Sequence, residues 1–347
     1  MVGSLPGRGA DPLDAWLLRV PPLLGYPARQ IAFGNGIYVA VGSGYSQLIT
    51  SADGINWQVQ DPGQPHRLEG VTFGNGMFVV VGDGAILTSA DGLTWTSPLA
   101  TVEADLRGIT FDEGLFCAVG GSATGGLAAT SSNGADWQWH KLGPSFFHDV
   151  TFGNGLFVAV GDFGATAASL DGSAWEVGTA GGRDSMFALA FGEGRFVGAG
   201  FGYEGTNLIG VTFSSTNGVA WLRQPHETWV ESVAYGNGRF VAGTAGGVFL
   251  VSEDGVGWAT EACCGGPPLS ALTYEQGRFI ALGGEFRQAF EGVVLTSADG
   301  LTWECHSRSP AILRDFAYGN GRFVAVGGGS ASQPFPGPPP THYPERS

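Results

Sequence analysis

The sequence predicts an all-β fold, a β-propeller of four-stranded blades, and three observations carry that expectation. One pattern recurs eight times in 347 residues, at a period of about 41. Each copy holds glycine-centred turn signals between β-rich runs. No segment sustains helical periodicity through that glycine punctuation.

The copies open with an apolar-small-aromatic triplet, a turn and an apolar run. They begin at Ile31 (IAFGNGIYVAVG), Val71 (VTFGNGMFVVVG), Ile109 (ITFDEGLFCAVG), Val150 (VTFGNGLFVAVG), Leu189 (LAFGEGRFVGAG), Val233 (VAYGNGRFVAGT), Leu272 (LTYEQGRFIALG) and Phe316 (FAYGNGRFVAVG). Asn-Gly between β-rich runs is a strong hairpin signal, because both turn positions want positive φ. In the first seven copies a second pair of strands follows, joined by a turn such as Ser51 to Trp57 (SADGINW). There a short carboxylate or amide bonds backbone N–H groups ahead of it, Gly takes the left-handed position and Trp covers the turn. Each unit therefore reads as first strand, Asn-Gly turn, second strand, loop, third strand, Asp/Asn-Gly turn, fourth strand. A lone four-stranded sheet with two apolar faces is unstable, and radial stacking buries both faces.

The chain ends set the expected blade number. Trp16 stands 15 residues before Ile31, the spacing of a fourth-strand Trp, whereas the hairpin from Phe316 to Gly327 has no Asp-Gly-Trp turn after it. Joined, they make a split closing blade and an eight-bladed ring; the alternative is seven blades with an irregular extra hairpin. The expected domain limits are an N-terminal extension over 1–12, one propeller over 13–333, and a Pro-rich tail over 334–347 (beginning PFPGPPP) that is extended or disordered.

The Ser-x-Asp-Gly-x-x-Trp turns resemble the Asp-box (BNR) repeats of sialidase-like and photosystem II assembly-factor-like propellers, with one residue fewer between acid and Trp. The resemblance spans roughly Leu13 to Gly329 and implies a fold rather than an activity. It also implies that the loops between second and third strands share one face with the channel mouth. The sialidase Arg-Ile-Pro signature is missing, so no catalytic residue of that family is carried over.

Composition excludes several functions. Net charge is -15 and the only Lys is Lys141, so no basic stripe exists to neutralise nucleic-acid phosphates or an anionic membrane. No apolar run reaches the ~20 residues of a membrane helix, and membrane insertion is not expected. The opening segment lacks a signal peptide's basic start and apolar stretch. The expected location is outside the cytoplasm with the leader absent from this sequence, or else the cytoplasm. No cofactor motif is present, and the His residues show no metal spacing. A monomer is expected. The turn acids Asp53, Asp91, Asp171, Asp254 and Asp299 suit turn stabilisation better than calcium.

Candidate site residues are those that break the repeat. The position two before each triplet reads Arg29, Glu69, Arg107, His148, Phe187, Glu231, Ser270 and Arg314, with Asp149 and Asp315 next to it. Such a ring either closes a wet channel with mutual ion pairs or lines a polar pocket for a carbohydrate or protein ligand. Two long loops add Tyr203, Glu204 and Asn207, and Glu285, Arg287 and Glu291, as candidates for one binding wall. Trp139 and Trp229, outside the turn motif, are further ligand candidates. The catalytic alternative is a carbohydrate-active hydrolase, using a carboxyl pair drawn from Glu69, Glu231, Asp149 and Asp315, or a lyase with His148 as base. Cys117 is expected to be a buried filler. Cys263 and Cys264 form either a vicinal disulfide or a bridge from one of them to Cys305.

Overall fold

The computed structural model describes residues 2–3, 16–17, 27–42, 44, 47–63, 66–99, 102–261, 268–286, 290–309 and 311–328. Apart from the short turn Asp162–Gly164, its regular elements are strands, all paired antiparallel, mostly to sequence neighbours. The eight first strands are Ala28–Gly34, Arg67–Gly74, Asp105–Asp112, Phe147–Gly153, Ser185–Gly192, Val230–Gly236, Ala271–Glu275 and Ile312–Gly319. Each touches the next around a closed circuit, and the last touches the first. The fold is an all-β β-propeller.

The expected eight blades, and the alternative of seven, are both corrected. Five sheets are regular blades of four consecutive strands, and they begin at Ala28, Phe147, Ser185, Val230 and Ala271. The second and third repeats instead share one seven-stranded sheet, in which Asp105 pairs with Asp83. The link sits at the short loop after the second repeat's second strand, where Gly84 N–H also donates to the Ala104 carbonyl at 2.9 Å; the same repeat is irregular at its outer edge. Ser97-Pro98 stops a fourth strand after the single bridge between Thr88 and Thr96, since Pro offers no N–H to a ladder. The remaining sheet is a composite: Ile312–Gly319 and Arg322–Gly328 pair outward onto Val2–Gly3 and then Trp16–Leu17. Trp16 thus lies in a terminal strand as expected, but the strand inside it comes from residues assigned to an extension. Residues 334–347 lie outside the described residues.

Repeat chemistry explains the local geometry. Asn35, Asn75, Asn154, Asn237 and Asn320 have φ between 46° and 51°, and the glycine after each is also left-handed. Both central residues of these two-residue turns therefore occupy the conformation that the right-handed strand twist requires. Asn320 Nδ2 also donates to the Gly36 and Ala52 carbonyls at 3.2 and 3.0 Å, tying the last repeat to the first. Arg322 donates to the Asp53 carbonyl at 2.8 Å across the same junction. The second-strand aromatic of every repeat, from Tyr38 and Phe78 to Phe323, is buried between sheets. Cys117 is fully buried on a second strand, and burial raises its thiol pKa. Cys305 is exposed; Cys263 and Cys264 lie outside the described residues.

In the second turn of the repeat the carboxylate is a backbone acceptor. Asp91 Oδ1 receives the Thr94 and Leu93 amides at 2.7 and 2.8 Å, and Trp95 Nε1 donates to the Gly92 carbonyl at 3.1 Å. Those amides hold the Asp91 carboxyl down to about 2. Asp91→Ala is expected to lower stability by about 1 kcal/mol, limited by solvent screening of so exposed a group. Chemical denaturation at pH 7 measures it.

Candidate functional site

The ring residues owe their direction to a recurring β-bulge. Pairing between first and second strands slips between Ala28 and Gln30, Leu68 and Gly70, Leu106 and Gly108, Phe147 and Asp149, Met186 and Ala188, Val230 and Ser232, and Leu313 and Asp315. The residues skipped are Arg29, Glu69, Arg107, His148, Phe187, Glu231 and Arg314. A bulge leaves one residue unpaired and re-aims its side chain. The seventh repeat has no bulge and places Ser270 just before its first strand. All eight residues line one cavity of about 510 Å³ at the centre of the ring.

The bulge also explains the glycine that ends the second-strand motif. A Cβ at Gly82, Gly120, Gly161, Gly200 or Gly327 would collide with the backbone carbonyl oxygen of Arg67, Asp105, Phe146, Ser185 or Ile312 respectively. The Val-Gly ending of the repeat and the projecting ring residue are thus two sides of one device.

Much of the ring's charge is internally paired. The Glu69 side chain is 6% exposed and accepts from Arg29, with Arg67 Nη2 3.6 Å from its other oxygen. Arg107 donates to Asp105 at 3.1 Å and lies 3.3 Å from His148 Nδ1. His148 Nε2 is 2.9 Å from Asp162 Oδ1, off the line of a good hydrogen bond. Asp162 also accepts from Ser185 Oγ at 3.0 Å. Burial raises the Glu231 pKa against the pull of Arg314; burial, then Arg29, lowers that of Arg314.

Asp149 and Asp315 do a different job. Asp149 accepts the Val150 amide and, from the next repeat, the Leu189 amide, each at 2.8 Å. Asp315 accepts the Ile31 amide at 2.9 Å and closes the ring. Gln30 accepts the Val71 amide at 2.7 Å in the same way. These side chains staple adjacent first strands, each accepting an amide one residue past a bulge.

A second feature adjoins the ring. The rings of Phe146 and His148, His148 and Phe187, Phe187 and Phe201, and Phe201 and Trp229 follow one another at centroid distances of 5.9, 4.6, 5.5 and 5.2 Å. Arg107 caps one end, 4.4 Å over Phe146, and Tyr203 meets Phe201 edge-on at 6.5 Å. Phe187, Tyr203 and Trp229 are each 37–42% exposed. The sequence pattern singled out Phe187, Tyr203 and Trp229 but missed Phe146, Phe201, Asp162 and the pair of buried Asp184 with half-buried Arg223. Phe201 carries the one available signal, an aromatic where other repeats end their second strand in small residues.

The other candidates are placed as follows. Glu204 and Asn207 pair at the tip of the fifth repeat's long hairpin, and Glu285 pairs with Glu291 in the seventh repeat's. Arg287 lies outside the described residues. Trp139 stands on an outer strand opposite Ala129, away from the ring.

No protein-family model matches the chain, and no curated protein sequence matches it. Solved structures do match. The chain is similar to the computationally designed Ika8 protein (TM-score 0.68, 14% identity, covering 89% of this chain and 95% of that one). It is also similar to Sqt1 of Saccharomyces cerevisiae (0.63, 12%, 87% and 93%), and to YCF48 solved with bound D1 peptide (0.57, 15%, 88% and 97%). At such identities the likeness shows the propeller fold alone.

Proposed function

We propose that this propeller is a binding scaffold for a protein segment, held on the face where the bulged ring meets the loops between second and third strands. The aromatic strip from Phe146 to Trp229 carries this reading. Exposed aromatic faces beside polar groups are how binding surfaces combine contact area with orientation. Supporting it, YCF48 is a propeller of similar fold solved with a peptide. The likeness of the Ser-x-Asp/Asn-Gly-x-x-Trp turns to Asp-box repeats supports the same scaffold. The hydrolase alternative needs two carboxyls, and three of its four candidates are engaged: Glu69 sits between two arginines, and Asp149 and Asp315 bond backbone amides.

A photocrosslinking residue at position 187 or 229 should trap a protein, and one at position 93, on the opposite turn face, should not. Phe187→Ala combined with Trp229→Ala should weaken the trapped partner's affinity at least tenfold, the loss of two aromatic anchors. A glycan, rather than a protein, binding through those same residues would overturn the proposal.

A further inference from the structure

A second cavity, of about 780 Å³, lies in the groove between the fifth and sixth repeats. Its apolar wall is made by Ile209, Val248 and Leu250, and its edge carries two exposed carboxylates, Glu204 and Glu227. Among the described residues no Lys or Arg lines it. The nearest guanidinium in sequence, Arg223, is held by the buried Asp184 at 2.5 Å. His226 completes the wall with Nε2 2.9 Å from Thr212 Oγ1, and burial lowers its pKa to about 4, so it adds no positive charge near neutrality.

Aliphatic walls beneath an uncompensated pair of carboxylates match one side-chain chemistry: a flexible apolar stem with a cationic head. The groove borders the aromatic strip where Thr228, another lining residue, precedes Trp229, while Glu204 faces it from the side of its strand opposite Tyr203. We infer that the groove between the fifth and sixth repeats is a subsite for a lysine or arginine side chain of the bound segment, next to an aromatic or aliphatic residue lying on the strip. This rests on the protein-segment reading above. The partner it describes carries a basic residue close to an apolar one, complementary to this acidic chain.

The test uses the full chain with n-butylammonium as the side-chain mimic and n-butanol as its neutral match, read by methyl NMR of Ile209, Val248 and Leu250. Saturable shifts with butylammonium, at least fivefold weaker with butanol, are expected. Glu204→Gln with Glu227→Gln should weaken butylammonium about fivefold, as two partly screened charge contacts would, and 0.5 M salt should act similarly. Both substitutions are at exposed positions and should leave the remaining methyl spectrum unchanged. Equal shifts from the two probes, or an unchanged affinity in the double variant, would overturn the subsite. Either result leaves the strip proposal standing, because crosslinking at positions 187 and 229 does not involve the groove.

Discussion

Gly161→Ala is expected to lower the unfolding free energy by about 3 kcal/mol, the upper part of what overpacking costs. The added Cβ would meet the Phe146 carbonyl oxygen, a backbone atom on the strand that carries the bulge, instead of a side chain able to rotate away. Relief requires the bulge to move, and with it His148, its contact to Asp162 and its tilted ring contact with Phe187. A guanidinium chloride titration measures the loss, and histidine NMR should show an altered His148 environment. Gly182→Ala is the control, because a Cβ there meets nothing within 4 Å and the backbone is not left-handed; its effect should stay within about 0.5 kcal/mol. Equal stability of the two variants would mean that the bulge does not depend on the glycine.

The second large effect is on pH dependence. Burial pushes Asp149 up to about 6 and Asp315 up to about 7, against the pull of the amides they accept. In the unfolded chain both titrate near 3.9. Below about pH 4 both states hold the protons and the two groups add no pH dependence. As pH rises the unfolded chain ionises first, so stability falls until the folded groups ionise near 6 and 7, and then levels off. The loss is on the order of 2 kcal/mol per group, allowing for water in the cavity. The turn acids act in the opposite sense. Asp91, near 2, and Asp254 and Asp299, also depressed by backbone amides, stabilise the fold above about pH 4 and lose that contribution as pH falls. Urea titrations at pH 3, 5 and 8 should therefore place the optimum near pH 5. Asp149→Asn with Asp315→Asn keeps an acceptor oxygen at each staple and should flatten the decline from pH 5 to 8. An unaltered decline would assign it to other groups.

The repeat phase of the sequence was enough to name the ring. Counting two residues back from each triplet found Arg29, Glu69, Arg107, His148, Phe187, Glu231, Ser270 and Arg314, and all eight line one cavity. In seven of the eight it succeeded because the bulge falls at a constant offset from the turn, so a local rule repeated along the chain reports a global circle. The grouping of strands into blades did not follow. Asp83 pairs with Asp105 because the short loop after it brings Gly84 against Ala104 of the next repeat, a contact between residues some twenty apart that no local pattern announces. The strand Val2–Gly3 was illegible for a related reason, since two residues carry no periodicity and gain their place only by pairing with Val324 and Leu17.

The opposite fates of the acids show the same division. Turn acids such as Asp91 bond amides two and three residues ahead, so their role was readable from the motif. Asp149 and Asp315 bond amides 40 and 284 residues away, a stapling role that becomes visible only when the ring closes. By itself the sequence determined the β-hairpin units, their turns, their buried aromatic faces and the positions that break the repeat, because those depend on contacts within a few residues. Only the tertiary structure decided five regular blades, the pairing of the ring charges, the continuous aromatic strip and the acidic groove beside it. Each of those arises from side chains of different repeats, whose proximity is set by how the sheets pack and where the circle closes.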